Sequence, residues 1–176
     1  MIKWCSKPLF KYPIQKKIVQ TLPIVPYWKG VWASRIDAIL NTEDGKAYFF
    51  KGDKFVAFDV KKDAVDEGYP KNVKQKWTNL PFTRIDAAIY WKKEAVYFFK
   101  DNKYVKCNPI TNLMEPGYPK LIIGNWPGMT FATIDAALKY GDFIYFIKNV
   151  EYIKYSIKED KAVGVPKPIA LMWADM

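Results

Sequence analysis

Short runs of aromatic and β-branched residues recur along this chain, separated by Gly, Asn, Asp and Pro. Lys103-Tyr104-Val105-Lys106-Cys107 alternates with period two, the pattern of a half-buried strand. Tyr48-Phe49-Phe50, Tyr97-Phe98-Phe99 and Tyr145-Phe146-Ile147 are unbroken apolar runs and read as core. Lys51-Gly52-Asp53-Lys54 reads as a tight hairpin between two such segments. Lys100-Asp101-Asn102-Lys103 fills the same place with residues that tolerate a left-handed backbone. Gly-Tyr-Pro at 68–70 and 117–119 breaks the strand pattern, and the stretch 71–77 has room for one or two helical turns. The predicted unit is three short strands followed by a turn-rich excursion.

That unit repeats. Ile-Asp-Ala stands at 36–38, 85–87 and 134–136, a constant spacing of 49 residues. Each copy is followed by its aromatic run and a lysine, then by a third segment at 54–58, 103–107 or 151–155. Turns follow at Glu67-Gly68-Tyr69-Pro70, Pro116-Gly117-Tyr118-Pro119 and Val163-Gly164-Val165-Pro166. Each unit closes on a tryptophan: Trp77, Trp126 and Trp173. Trp28 stands eight residues before its Ile-Asp-Ala, as Trp77 and Trp126 do before theirs. One blade of this size cannot bury both its faces, and stacking around an axis solves the problem. The pattern predicts an all-β propeller: units at 33–80, 81–129 and 130–176, with residues 1–32 as a shortened first blade.

The motifs resemble the hemopexin-like repeat. Asp86-Ala87-Ala88, Tyr48-Phe49-Phe50-Lys51-Gly52, Gly117-Tyr118-Pro119 and Trp126-Pro127-Gly128-Met129 carry the likeness, over residues 28–176. The resemblance implies a hemopexin-type β-propeller, here with three complete blades and the shortened N-terminal one. It also implies a central tunnel lined by the first strands. In the family, backbone carbonyls of the repeated aspartate bind a cation at the tunnel mouth, often calcium. By resemblance these are the carbonyls of Asp37, Asp86 and Asp135, with Ca2+ or Na+ as the ion; carbonyls are hard ligands that suit such ions. Ile39, Ala88 and Ala137 correspond to a second ring of tunnel-lining positions. The aspartate side chains have a plainer reading, tying down a loop or strand end through backbone N–H groups.

Charge narrows the partners. The formal net charge is +10, almost all of it lysine, so acidic partners are attracted. Lysines on exposed strand edges also keep those edges from pairing. Base-reading proteins lean on arginine, and this chain has only Arg35 and Arg84, which speaks against nucleic acid. Lys51, Lys100 and Lys148, one per repeat after the aromatic run, are candidates for facing an anionic ligand. A homo-oligomer is one way to cover the edge that a short first blade leaves bare. The first residues lack an apolar core of the signal-peptide kind, and no stretch is long enough to span a membrane, so the expectation is a soluble chain.

Candidate chemistry points away from catalysis. The chain has no histidine, hence no Ser-His or Cys-His pair, and no phosphate-binding glycine loop. Two distant cysteines, Cys5 and Cys107, make neither a zinc signature nor a disulfide framework. Tight haem capture is not expected either, because only Tyr, Cys or Met could ligate the iron. The expected function is a non-enzymatic module that docks a protein or small-molecule ligand, with an ion in the tunnel. The alternatives are a toxin or defence subunit approaching anionic membranes, and a haem or polyamine binder; the +10 charge counts against a polycation.

Overall fold

The computed structural model describes residues 28–91 and 95–172. Each repeat forms one antiparallel sheet. Sheet one runs β1 (Ala38–Asn41), β2 (Lys46–Lys51) and β3 (Lys54–Asp59), with β4 (Ala64–Val65) and β5 (Lys71–Asn72) both pairing with β3. Sheet two runs β6 (Ala87–Trp91), β7 (Ala95–Lys100), β8 (Lys103–Cys107) and β9 (Lys120–Leu121). Sheet three runs β10 (Ala136–Tyr140), β11 (Phe143–Lys148), β12 (Glu151–Ser156) and β13 (Lys161–Pro168). The shortened blade expected over residues 1–32 lies, apart from 28–32, outside the described residues.

The first strands sit innermost: β6 packs beside β1 on one side and β10 on the other. Their start differs from the expectation. Strand geometry begins at the alanine, not at the isoleucine. Asp37, Asp86 and Asp135 donate their N–H to Phe50, Phe99 and Ile147 at 2.8–2.9 Å, just before the ladder proper. Ile85 and Ile134 are buried below them as plugs of the inter-sheet core.

Unbroken aromatic runs are what a strand covered on both faces requires. Leu40, Tyr48, Phe50 and Phe55 of sheet one meet Ala88, Val96, Phe98 and Val105 of sheet two. The opposite face of sheet two, with Ile89, Phe99 and Tyr104, meets Ile144, Phe146, Ile153 and Tyr155 of sheet three. The closing tryptophans fill these seams. Trp77 lies 5.2–5.7 Å from the rings of Tyr48, Phe50 and Phe55 and 5.0 Å from Phe98 of the next sheet. Trp126 does the same between Phe99 and Phe146. Trp28 contacts Phe49 and Phe58 on the remaining face of sheet one, so it stands where a preceding unit would close. Trp173 lies outside the described residues.

Each closing segment also latches onto the outer strand of the next sheet. Lys29 accepts from Val65 N at 3.0 Å, and Pro127 accepts from Ala162 N at 2.8 Å. In the middle unit Asn79 replaces the backbone: its Oδ1 accepts from Met114 N at 2.7 Å, and its Nδ2 donates to Met114 O at 3.2 Å. The close approach explains two glycines. A Cβ on Gly30 would fall 2.9 Å from Val65 Cβ, and one on Gly128 3.0 Å from Ala162 Cβ, both at positive φ.

The excursions differ in outcome. Residues 73–76 form one helical turn, α1 (Val73–Lys76), closed by a capping box between Asn72 and Gln75. The turn expected at Val163–Pro166 is not a turn. It lies within β13, where the register slips between Tyr152 and Lys154 and leaves 164–166 bulged. Gly164 supplies the positive φ of that bulge, so the chain stays paired instead of leaving the sheet.

At the end of sheet one away from the β2–β3 hairpin, Lys46 Nζ donates to Asp59 at 2.9 Å and Asp66 at 2.7 Å. The Lys62 N–H and the Lys46 ammonium hold the Asp59 carboxyl down at about 2. A depressed carboxylate stabilises the fold above its ordinary pKa of about 4, and that contribution is lost as pH falls toward its folded value. Lys46→Met is therefore expected to move acid unfolding to higher pH. Far-ultraviolet dichroism between pH 5 and 1.5 reads the midpoint, and an unmoved midpoint contradicts the assignment.

Candidate functional site

The repeated aspartates act first through their side chains. Asp37 Oδ2 accepts from Gly52 N at 2.8 Å, Asp86 Oδ2 from Asp101 N at 2.9 Å, and Asp135 Oδ2 from Asn149 N at 2.8 Å. In every unit the entry to the inner strand thus clamps the hairpin between the second and third strands. The clamped residue has φ between 52° and 59°, so its N–H projects out of the turn toward the aspartate. For Asp135, burial acts to raise the pKa, but the Asn149 N–H and the Lys148 ammonium outweigh it and lower the carboxyl.

With the side chains spent on the hairpins, the backbone carbonyls of the same residues remain. Among the described residues no backbone N–H donates to the carbonyl of Asp37, Asp86 or Asp135. The three carbonyls stand just before the first residue of β1, β6 and β10. At the far end Lys139 of β10 reaches Glu43, in the turn after β1, at 3.0 Å, which ties sheet three to sheet one. Among the described residues no three carboxylates or thiols converge to hold a metal.

Ile39, Ala88 and Ala137 occupy the second position of the inner strands but not equal surroundings. Ile39 is exposed. Ala88 is buried in the seam between sheets one and two, and Ala137 packs at the edge of the next seam. Small side chains let neighbouring inner strands approach.

The three hairpin lysines also part company. Lys100 bonds Asp101 at 2.8 Å and Asp86 at 3.2 Å; Asp101 raises its pKa, and Asp86 adds to this against the opposing effect of burial. Lys148 bonds Asp135 at 2.6 Å. Lys51 reaches no carboxylate among the described residues; it donates to Ser34 Oγ and sits 5.8 Å above the Trp32 ring. Cys107, the sulfur ligand that sequence left open, is fully buried, and burial pushes its thiol up to about 12. A thiol so placed is a core hydrophobe rather than a nucleophile or metal ligand. Among the described residues no helix is long and apolar enough to cross a membrane.

What sequence reasoning missed is the role of the two arginines. Each stands two residues before a repeat aspartate, at 35 and 84, where the third unit has Thr133. That departure from the repeat was the available signal.

Comparison with known proteins adds the following. The profile of the family described as Hemopexin matches residues 36–81 and 85–130. The fold is similar to that of a 2S albumin seed protein from Dolichos, at 24% identity and a TM-score of 0.68, covering 79% of this chain and 70% of that one. It is similar to a plant lectin with two metal binding sites from Cicer arietinum, at 24% identity and a TM-score of 0.65, covering 78% and 69%. It is also similar to a hemopexin-fold protein from cow pea, at 19% identity and a TM-score of 0.62, covering 77% and 68%.

Proposed function

This chain belongs to the hemopexin family, and from that premise we propose that it is a non-enzymatic binding module: a cation on the axis fixes the inner strands, and the outer surfaces dock a partner. The observation that carries the reading is the set of undonated carbonyls at Asp37, Asp86 and Asp135, one per repeat. Oxygen dipoles of like orientation repel unless something positive lies between them, and Ca2+ or Na+ accepts such ligands. The aspartate side chains are committed to hairpins, so they add local negative charge without competing as ligands. The description of the Cicer arietinum lectin as having two metal binding sites supports a cation in this architecture. The recurring polar residues serve the fold, and the buried, protonated Cys107 offers no nucleophile, which supports binding over catalysis. The +10 charge favours an acidic protein or an anionic ligand as the docked partner.

The test is linkage. A ligand bound only by the folded state, present at a hundred times its Kd, stabilises by about 2.7 kcal/mol. Scanning calorimetry is therefore expected to show a rise of several degrees in Tm when EDTA is replaced by millimolar CaCl2. A Tm that stays the same in EDTA, CaCl2, and NaCl against choline chloride overturns the axial cation.

A further inference from the structure

The first hairpin departs from the repeat in a way that creates a site. In units two and three the hairpin lysine folds back onto the repeat aspartate. In unit one Arg35 takes that place, with Nε 2.7 Å from Asp37 Oδ1. Lys51 is thereby released toward Trp32. Lys54 stands directly opposite Lys51 in the β2–β3 register, a like-charge pair that costs stability unless an anion lies nearby. Among the described residues Lys54 has no carboxylate partner.

Unit two completes the arrangement. Its Asp86 is already held by Lys100, so Arg84 is not drawn back onto its own repeat. It reaches across the seam to sheet one, where its Nη2 comes 4.0 Å from the place a Cβ on residue 52 would occupy. That residue is Gly52; the equivalent positions hold Asp101 and Asn149. A Cβ there would be in ordinary contact with the guanidinium, so Arg84 lies against the hairpin at this position. Arg84 makes no hydrogen bond or ion pair among the described residues. Both arginines of the chain thus line one cavity of about 330 Å³, together with Trp32, Lys51 and Lys54. Its single carboxylate, Asp37, is ion-paired with Arg35 and accepts from the Gly52 N–H.

We propose that this cavity between sheets one and two binds a phosphate or sulfate ester, with the oxyanion held by Arg84, Lys51 and Lys54 and its carrier ring lying against Trp32. A planar guanidinium offers paired donors to an oxyanion, and ammonium groups add charge at variable reach. The Trp32 indole gives an apolar wall for the carrier. The volume is at the small end of ligand pockets, which run from about 300 to 1,000 Å³. The site is distinct from the axis and does not depend on a cation there.

Isothermal titration calorimetry on the full chain tests it with four probes: inorganic phosphate, glucose 6-phosphate, glucose 6-sulfate and glucose. One-to-one binding of at least one ester, tighter than inorganic phosphate and with no heat from glucose, supports the site; which ester binds tighter separates the two sources. Arg84→Gln is expected to weaken binding roughly tenfold or more, the scale for a lost hydrogen bond to a charged group. Trp32→Ala is expected to bring the ester down to the level of inorganic phosphate. Lys158→Gln makes the same change in net charge at the exposed turn between β12 and β13 and should leave affinity within about twofold. Absence of binding by both esters, equal losses from Arg84→Gln and Lys158→Gln, or an unchanged ester affinity in Trp32→Ala overturns the proposal. Dichroism of each variant confirms that it is folded before it is titrated.

Discussion

Trp126→Ala is expected to destabilise the protein by about 3–5 kcal/mol, the range for an emptied tryptophan site in a packed core. Trp126 is wedged between sheets two and three and meets Trp91, Tyr97, Phe99, Tyr104, Phe146 and Tyr155 at ring separations of 5.2–5.8 Å. Those residues belong to two sheets, so the cavity cannot close without moving one sheet against the other. For a chain of this size the loss corresponds to roughly 10 °C in Tm. Trp126→Phe should cost clearly less. It keeps an aromatic ring in the seam and removes a buried Nε1–H that has no acceptor among the described residues. Thermal denaturation of the two variants checks both statements. Equal losses would mean that packing across the seam does not depend on ring contact at this position.

The second large effect is expected at the clamp of the first hairpin. Asp37→Ala leaves the Gly52 N–H without its acceptor in a half-buried turn, and should cost about 1–3 kcal/mol. Asp37→Asn keeps an oxygen for that N–H and loses only the ion pair to Arg35. The Arg35 side chain is 81% exposed, and exposed pairs contribute little, so this variant should lose less than about 1 kcal/mol. Urea denaturation separates the two. If Asn costs as much as Ala, the ion pair and not the hairpin bond is what the repeat preserves.

These two sites show how far the sequence could be read. The seams were legible because aromatic runs of fixed length recur every 48 or 49 residues, and a closing tryptophan follows each. The hairpin between the second and third strands was legible from Gly52, Asp101 and their neighbours. The clamp was half legible: a repeated aspartate next to a turn suggests a side chain on backbone N–H groups, but which turn it reaches depends on the fold. The bulge in β13 was hidden because Val-Gly-Val-Pro has the composition of a turn, while pairing with β12 keeps it in the sheet. The three hairpin lysines looked equivalent in sequence. They differ because Arg35 holds Asp37 in place of Lys51, whereas Arg84, at the equivalent position of unit two, lies toward sheet one and leaves Asp86 to Lys100. The cavity under Arg84 was invisible for a related reason. It joins the hairpin of one unit to the entry of the next, and a repeat alignment separates those residues by a full period.

The axial cation is decided by what lies at the inner ends of the first strands. Calcium-soaked crystals, measured at a wavelength where calcium scatters anomalously, give that answer in one map. A single anomalous peak about 2.3–2.6 Å from the carbonyl oxygens of Asp37, Asp86 and Asp135, the normal range for calcium to oxygen, is the predicted result. An axis without a peak, or calcium bound only to surface carboxylates, would contradict it.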